Sequence, residues 1–274
     1  MTLLAELPEL DALDPTDLDA ISSALDGIEG SDTRLAVLRT VLGQLLVDSG
    51  QTPYVEAGLV ALRGAADAGI SAAAFSAATT LLGHGPEGID EAIELLEAAA
   101  DAGLAPAQLA LGQLLLEADN PEQGLAFVAA AAGQGYAPAA CDLSRRLLDG
   151  EIIGDLQAED IPELLRGAIT EGSAEAHEIL LQYLATAAEY ESLVSELGAS
   201  AGRRRLPTSL LRDVGAALAE ADPHFWFQAA IALAPLADDS RVAFLDGILL
   251  SISTDQAGDA AALQLALGLN EEDP

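Results

Sequence analysis

A small-residue pentad recurs along the chain at a nearly even interval, and this repeat constrains the fold more than any other feature of the sequence. Residues 65–69 (Ala-Ala-Asp-Ala-Gly) return unchanged at 99–103, and degenerate copies follow at 131–135 and 168–172. Self-similarity at a period of about 20 to 50 residues is the signature of repeats that stack in a row. The glycines that end the four copies serve below as position zero of each repeat: Gly69, Gly103, Gly135 and Gly172.

Apolar and small residues recur at fixed distances from these glycines. Positions +8 and +12 share one helix face, which predicts the buried stripe of a first helix, A. Positions −11 and −8 predict the buried stripe of a second helix, B, which ends at the glycine because glycine adopts a left-handed backbone at little cost. The A residues are Ala77, Leu111, Leu143 and Leu180, then Leu81, Leu115, Leu147 and Leu184; the B residues are Gly58, Ala92, Gly124 and Ile161, then Ala61, Leu95, Phe127 and Leu164.

Position +9 carries a small residue in three copies: Ala78, Gly112 and Ser144. Small side chains let two helices approach closely, so we expect tight packing of A against B there. Leu181 stands at this position in the last copy and predicts wider or distorted packing. An earlier Leu42-Gly43 pair, about two periods before Leu111-Gly112, predicts a fifth unit that starts within residues 33–50.

The segment 107–112 (Ala-Gln-Leu-Ala-Leu-Gly), followed by 131–135 (Ala-Ala-Gly-Gln-Gly), resembles the Sel1-like repeat family, a relative of the tetratricopeptide repeat. The resemblance covers about residues 55 to 190. It implies an all-α fold, a right-handed α-solenoid of helix-turn-helix repeats that scaffolds or adapts protein complexes and carries no catalytic residues. The copies depart from the family at +12, where an aromatic residue is usual, and only 84–88 keeps a glycine-rich turn.

The sequence predicts three parts. Residues 1–30 are expected to form two capping helices, the second with Asp14 as its N-cap and Pro15 at its first position. Residues 31–202 hold the repeats. Residues 203–274 lose the glycine register but keep helical periodicity, which predicts a divergent C-terminal helical module. The run Arg203-Arg204-Arg205 marks the boundary, and we expect it to clamp carboxylates of the chain itself.

Charge excludes some partners. The formal net charge is −34, and all 11 basic residues are arginine. Such a surface repels nucleic acid and anionic membranes, so the charge indicates either a basic protein partner or adaptation to a salt-rich cytoplasm. The N-terminus lacks a secretory pattern, no run is long and apolar enough for a membrane span, and the single Cys141 forms no internal disulfide. A cytoplasmic protein is expected.

Motifs for chemistry were sought as well. Asp11, Asp14, Asp17 and Asp19 lack the spacing and the glycine of a calcium loop. The histidines His84, His177 and His224 are isolated from one another, which argues against zinc. Cys141 aligns with Phe75 and Leu109, so a packing role is expected rather than a nucleophile. We therefore predict no enzyme, no cofactor and no metal site.

Helix A is expected to carry the partner-binding surface at +6 and +10, between the buried positions. These positions give Phe75 and Thr79, Leu109 and Gln113, Cys141 and Arg145, and Glu178 and Gln182. Alternatively, Phe75 and Leu109 pack against the next repeat. A second candidate surface is Phe225 with Trp226, since aromatic residues concentrate interface energy; the alternative is that they anchor a helix in the core.

Two functions remain open from the sequence. The first is a scaffold or adaptor that binds a protein or peptide in the groove of the repeats. The second is an acidic decoy or inhibitor that masks a basic surface, such as that of a DNA-binding protein. The partner's identity and the oligomeric state are not encoded in any motif found here.

Overall fold

The residues that the structure describes are helical almost throughout. The structure is a computed structural model, and it describes residues 17–26, 32–85, 88–118, 120–201, 206–251 and 257–269. Within these ranges there are fifteen α-helices and no β-strand, only an isolated bridge between Ile153 and Leu156. The predicted all-α class is confirmed. The chain divides into two compact units, residues 1–134 and 135–274, which are described separately below.

Among the residues that the structure describes, seven α-helices lie in the first unit and eight in the second. The first unit holds α1 (Leu18–Asp26), α2 (Thr33–Asp48), α3 (Thr52–Asp67), α4 (Ser71–Gly83), α5 (Ile89–Asp101), α6 (Ala105–Glu117) and α7 (Pro121–Gly133). The second unit holds α8 (Ala137–Leu148), a 3₁₀ turn (Ala158–Asp160), α9 (Ile161–Thr170), α10 (Ala174–Thr186), α11 (Tyr190–Ala201), α12 (Thr208–Leu218), α13 (Pro223–Leu233), α14 (Asp238–Ser251) and α15 (Ala257–Ala266).

Helices A and B alternate as the repeat register predicts. In the first unit the A/B pairs are α2/α3, α4/α5 and α6/α7, and in the second they are α8/α9 and α10/α11. The four predicted copies are therefore confirmed. The earlier unit is confirmed too, since α2 and α3 form a pair with Gly43 at the equivalent of +9.

Each repeat glycine lies just past the end of a B helix, as predicted. Gly69, Gly103, Gly135 and Gly172 have φ between 82° and 88°. At the first of these turns the Gly69 N–H donates to the Ala66 carbonyl at 2.8 Å, and the Ile70 N–H donates to Ala65 at 3.1 Å. This pair of bonds is the Schellman motif, which satisfies carbonyls that the helix end leaves free.

The buried stripe of helix A follows the prediction. All four +8 residues are buried, as are Leu81, Leu147 and Leu184 at +12, while Leu115 is half-buried. Helix B differs by one residue. Position −7, not −8, holds the large fully buried side chain of each copy, because both positions are apolar and only one faces helix A. These residues are Leu62, Leu96, Val128 and Leu165.

Glycine pairs bring the A and B backbones together. A Cβ at Gly112 would lie 2.8 Å from the Gly124 carbonyl oxygen, and a Cβ at Gly124 would lie 2.8 Å from that of Gly112. Gly43 and Gly58 form the same kind of crossing, with corresponding distances of 3.0 and 2.6 Å. The crossing residues in the other copies are the buried pair Ala78 and Ala92, then Ser144 and Ile161.

The +9 residue differs between the A/B pairs: it is glycine in α2/α3 and α6/α7, alanine in α4/α5, serine in α8/α9 and leucine in α10/α11. The wider packing expected at Leu181 stays a prediction. Leu181 itself is fully buried.

The two ends contain helices where the sequence indicated them. Helix α1 begins at Leu18, and the Asp17 carboxylate accepts a hydrogen bond from the Ala20 N–H at 3.0 Å. The predicted N-cap Asp14 and Pro15 lie outside the described residues, as do Arg203 to Arg205. Helices α12 to α15 confirm the helical periodicity of the C-terminal part. There α12 and α14 cross at Gly215 and Gly247, each of which leaves no room for a Cβ against the other helix.

The glycine crossing predicts that an alanine substitution destabilises the chain at the crossing but not at an open helical glycine. Gly112→Ala should lower the free energy of unfolding by about 2 kcal/mol, because the new Cβ overlaps the α7 backbone and the Val128 side chain. Gly167→Ala is the matched control, since this glycine lies inside α9 with open space around it. The control should raise stability by about 0.5 kcal/mol, because alanine favours helices. Urea unfolding followed by circular dichroism measures both, and equal effects would contradict the crossing.

The turn between α10 and α11 has an alanine where the turn after α8 has Gly150. Ala188 follows α10 with φ 56°, and the Glu189 N–H donates to the Leu184 carbonyl at 3.0 Å, so an alanine occupies the left-handed position of the turn. Ala188→Gly should stabilise the chain by about 1 kcal/mol through relief of the Cβ clash. Ala187→Gly, whose φ is −77°, should instead destabilise it slightly. A lower urea midpoint for Ala188→Gly than for the parent chain would refute this reading of the turn.

Candidate partner-binding surface

An exposed stripe runs along the A helices α4, α6, α8 and α10: positions +10 and +14 are exposed in all four, and +3 is exposed in α4 and α8. These positions are spaced by seven and four residues, so they share one helix face opposite the buried stripe. We call this stripe the A ridge. Its exposed members are Ala72, Thr79, Gly83, Gln113 and Glu117 in the first unit, and Pro138, Arg145, Asp149, Gln182 and Thr186 in the second.

The structure separates the two predicted positions. All four +10 residues are exposed and belong to the A ridge: Thr79, Gln113, Arg145 and Gln182. The +6 residues turn inward. Leu109 and Cys141 are buried, Glu178 is half-buried, and Phe75 packs against the core of the first unit. The reason is helical geometry: +6 lies about 60° from the buried +9 position around the axis. Phe75 and Leu109 thus take the packing role that the sequence left as an alternative.

Ridge side chains make few bonds beyond their own helix. The Thr79 hydroxyl lies 3.1 Å from the Phe75 carbonyl oxygen and 3.0 Å from that of Ser76, and the Thr186 hydroxyl donates to Gln182 at 2.9 Å. Arg145 is the exception. Its guanidinium lies 2.7 Å from the Glu175 carboxylate of α10, with both side chains about half exposed. A partner carboxylate would have to compete with Glu175 for this arginine.

Of the two residues of the second predicted surface, Trp226 is buried and Phe225 is partly exposed. Trp226 is fully buried, and its indole N–H donates to the Leu218 carbonyl at 2.6 Å, so it anchors α13 and has no exposed surface for a partner. Phe225 is half-buried. Its ring lies 5.9 Å from that of Tyr190 and 3.8 Å from that of His224.

His84 and His177 make hydrogen-bond contacts within and between helices. His84 follows α4, and its Nδ1 lies 2.7 Å from the Thr80 carbonyl oxygen. His177 is buried, with Nδ1 at 2.9 Å from the Ser173 carbonyl and Nε2 at 3.3 Å from the Glu196 carboxylate of α11. In the part of the chain that the structure describes, no three His, Cys, Asp or Glu side chains converge as metal ligands would.

Cys141 lies in an apolar setting. The thiol is buried between α8 and its neighbours, and burial raises its pKa to about 11; the nearby Glu175 carboxylate also raises this pKa, whereas Arg145 and Ser173 lower it. A thiol is nucleophilic only as the thiolate. The environment therefore suits packing, as expected from its alignment with Leu109.

Sequence reasoning missed position +14 of the A ridge. Gly83, Glu117, Asp149 and Thr186 occupy it, and all are exposed. The signal was present in the sequence, since each lies one helical turn after a +10 residue and none is a large apolar residue. The four differ in size and charge, which hid the position from a search for similar residues.

Comparison with solved structures confirms the fold. The chain matches the crystal structure of a protective antigen present in uropathogenic Escherichia coli strains displaying an SLR fold, with a TM-score of 0.57 and 17% identity over 97% of this chain. It spans 64% of the length of that structure. A Sel1 repeat protein from Oxalobacter formigenes matches at a TM-score of 0.38 and 16% identity, covering 97% of this chain and 89% of the other. The likeness to the SLR-fold antigen confirms the predicted resemblance to Sel1-like repeats at the level of the fold.

Comparisons of sequence add nothing to this likeness. No protein-family model matches the chain. No curated protein matches it either. Among the described helices, none combines the length and the apolar composition that crossing a membrane requires.

The burial of Cys141 predicts that its thiol is unreactive in the folded chain. At pH 8 the native protein should react with a thiol reagent such as iodoacetamide at least tenfold more slowly than the urea-unfolded chain, because burial suppresses the thiolate. Mass spectrometry of samples quenched over time measures both rates. Rapid labelling of the native protein would show that this thiol is accessible and ionised.

Proposed function

We propose that this chain, which has the Sel1-like repeat fold, is a non-catalytic scaffold in which the A ridge of each unit binds a segment of another protein. One observation carries the proposal: position +10 is exposed in all four copies, although the adjacent +8 and +9 positions are buried in all four. The repeat therefore presents a side chain to solvent at the same place each time. Stacked repeats commonly use such surfaces for binding.

The chemistry of the A ridge supports a protein segment as the ligand. Its +10 residues are two glutamines, a threonine and an arginine, whose side chains donate or accept hydrogen bonds. The +8 and +12 positions on the packed face of helix A are leucine or alanine in every copy, whereas the ridge positions vary in size and charge from copy to copy. Exposed side chains that vary in this way suit recognition of one particular partner. We place this function in the cytoplasm, with a soluble protein or peptide as partner.

A second candidate function is an acidic decoy that masks a basic protein surface. The observation that favours it is the way the arginines are neutralised. Arg63 pairs with Glu91, Arg145 with Glu175, Arg146 with Asp142 and Glu151, and Arg166 with Glu163. Carboxylates without such partners remain in excess, as the net charge of −34 requires. Basic surfaces bind such a protein through long-range attraction.

Two triple variants of equal charge distinguish the functions. The first places arginine on the A ridge: Thr79→Arg, Gln113→Arg and Gln182→Arg. The second places arginine at exposed positions of B helices: Ala98→Arg, Ala126→Arg and Ser195→Arg. Both add three positive charges. Partner proteins captured by the immobilised parent chain from a lysate of its source organism are then titrated against each variant.

A scaffold that uses the ridge should lose at least tenfold in affinity with the first variant only, since the long side chains obstruct that surface alone. A charge decoy should weaken equally with both, and its binding should fall steeply between 0.05 and about 0.3 M salt, where charge screening becomes strong. Unchanged binding by the ridge variant would refute the scaffold proposal. Circular dichroism confirms that both variants fold.

A further inference from the structure

An aromatic cluster lies where α11 and α13 begin. Tyr190 is the first residue of α11 and Phe225 is the third residue of α13, and these two helices pack together in the second unit. The Tyr190 and Phe225 rings are tilted by 48° at 5.9 Å, and the His224 ring lies 3.8 Å from Phe225. We call Tyr190, His224 and Phe225 the aromatic cluster. It belongs to B-type helices and not to the A ridge.

The aromatic cluster is held in place from two sides. Asp222 is the N-cap of α13, and its carboxylate accepts a hydrogen bond from the His224 N–H at 2.9 Å while the His224 imidazole Nδ1 lies at the same distance. On the other side Trp226 is fully buried and bonded to Leu218. These bonds fix the His224 ring and the start of α13, which lowers the entropic cost of association at that part of the cluster.

The charge around the aromatic cluster is negative. Asp222 is exposed, and the hydrogen bonds from the His224 backbone and side chain hold the pKa of its carboxyl below the usual value. Glu189, Glu191 and Glu220 adjoin the cluster in sequence and are exposed as well. The two helix N-termini oppose this with about half a positive charge each. The Asp222 carboxylate at the cluster, in a chain whose net charge is −34, attracts a cation to the site.

Half-exposed aromatic rings beside a carboxylate suit a guanidinium group in particular. Guanidinium is planar, stacks on aromatic faces and donates in a fork to carboxylates, whereas the lysine ammonium is compact and strongly hydrated. We propose that the aromatic cluster together with Asp222 binds an arginine side chain of a basic partner protein. This surface is independent of the A ridge, and the inference holds whichever of the two functions above is correct.

The test uses a capped tetra-arginine peptide as the probe, with capped tetra-lysine and tetra-glutamine peptides for comparison. Titrations are followed by the NMR signals of the Tyr190, His224 and Phe225 rings in the full chain at 0.3 M NaCl, which screens diffuse attraction to the acidic surface. Tetra-arginine should shift these ring signals in a saturable way. Tetra-lysine should bind several-fold more weakly, and tetra-glutamine should not shift them.

Two variants probe the components of the site. Tyr190→Leu keeps an apolar side chain and removes the aromatic face, so it should weaken tetra-arginine binding about two- to fivefold, the range expected for an exposed cation–π contact. Asp222→Asn keeps a good N-cap residue and removes the charge, so it should weaken binding as well. Tyr136→Leu is the matched control, because Tyr136 is a half-buried tyrosine of the same unit outside the cluster.

Several outcomes would overturn the inference. Equal shifts of the ring signals by arginine and lysine peptides would mean that charge alone attracts them. Equal affinities of Tyr190→Leu and Tyr136→Leu would remove the aromatic contribution, and no saturable shift with tetra-arginine would remove the site. Circular dichroism of each variant checks folding, and Asp222→Asn preserves the test should Tyr190→Leu fail to fold.

Discussion

The close crossing of A and B backbones is the contact on which the repeats depend. Where both crossing residues are glycine, as at Gly112 and Gly124, the helices approach until one backbone touches the other. Dispersion falls off steeply with distance, so each such crossing gains contacts that larger residues would prevent. This accounts for a core built mainly from alanine and leucine in a chain with only 4% aromatic residues. The same solution recurs between α12 and α14, where the repeat register itself is lost.

Local chemistry explains which parts of the fold the sequence predicted. A left-handed turn after a helix requires glycine, and a close crossing requires a small residue, so Gly69 and Gly112 could be placed without any knowledge of distant contacts. The buried stripe of helix B could be placed at −11, where all four residues are buried, but not one turn further on. In each copy positions −8 and −7 are both apolar, as in Leu95-Leu96, and only the partner helix decides which of the two faces inward. Ala188 is the opposite case, since a left-handed turn forms after α10 without any glycine.

The candidate surface was predictable at +10 and not at +6. Positions +6 and +10 both lie near buried positions in the sequence. Four residues along the helix, however, rotate the side chain by about 40° around the helix axis, which moves it from the edge of the core at +6 into solvent at +10. The ion pair of Arg145 with Glu175 could not be predicted from the sequence for a different reason. The two residues lie on different helices, thirty residues apart. Trp226 illustrates the ambiguity of aromatic residues, since its neighbour Phe225 remains half-buried beside Tyr190 while Trp226 is fully enclosed.

The acidity of the chain and the stability of its fold rest on different interactions. Two ion pairs join neighbouring helices within a unit: Arg63 on α3 forms two hydrogen bonds to Glu91 on α5, one of 2.7 Å, and Arg145 on α8 pairs with Glu175 on α10. Such exposed pairs contribute little to stability and weaken as salt rises. The glycine and alanine crossings carry no charge, so salt does not screen them. Ionic strength should therefore alter what the surface attracts far more than whether the repeats stay folded, which lets charge select partners while small-residue contacts preserve the scaffold.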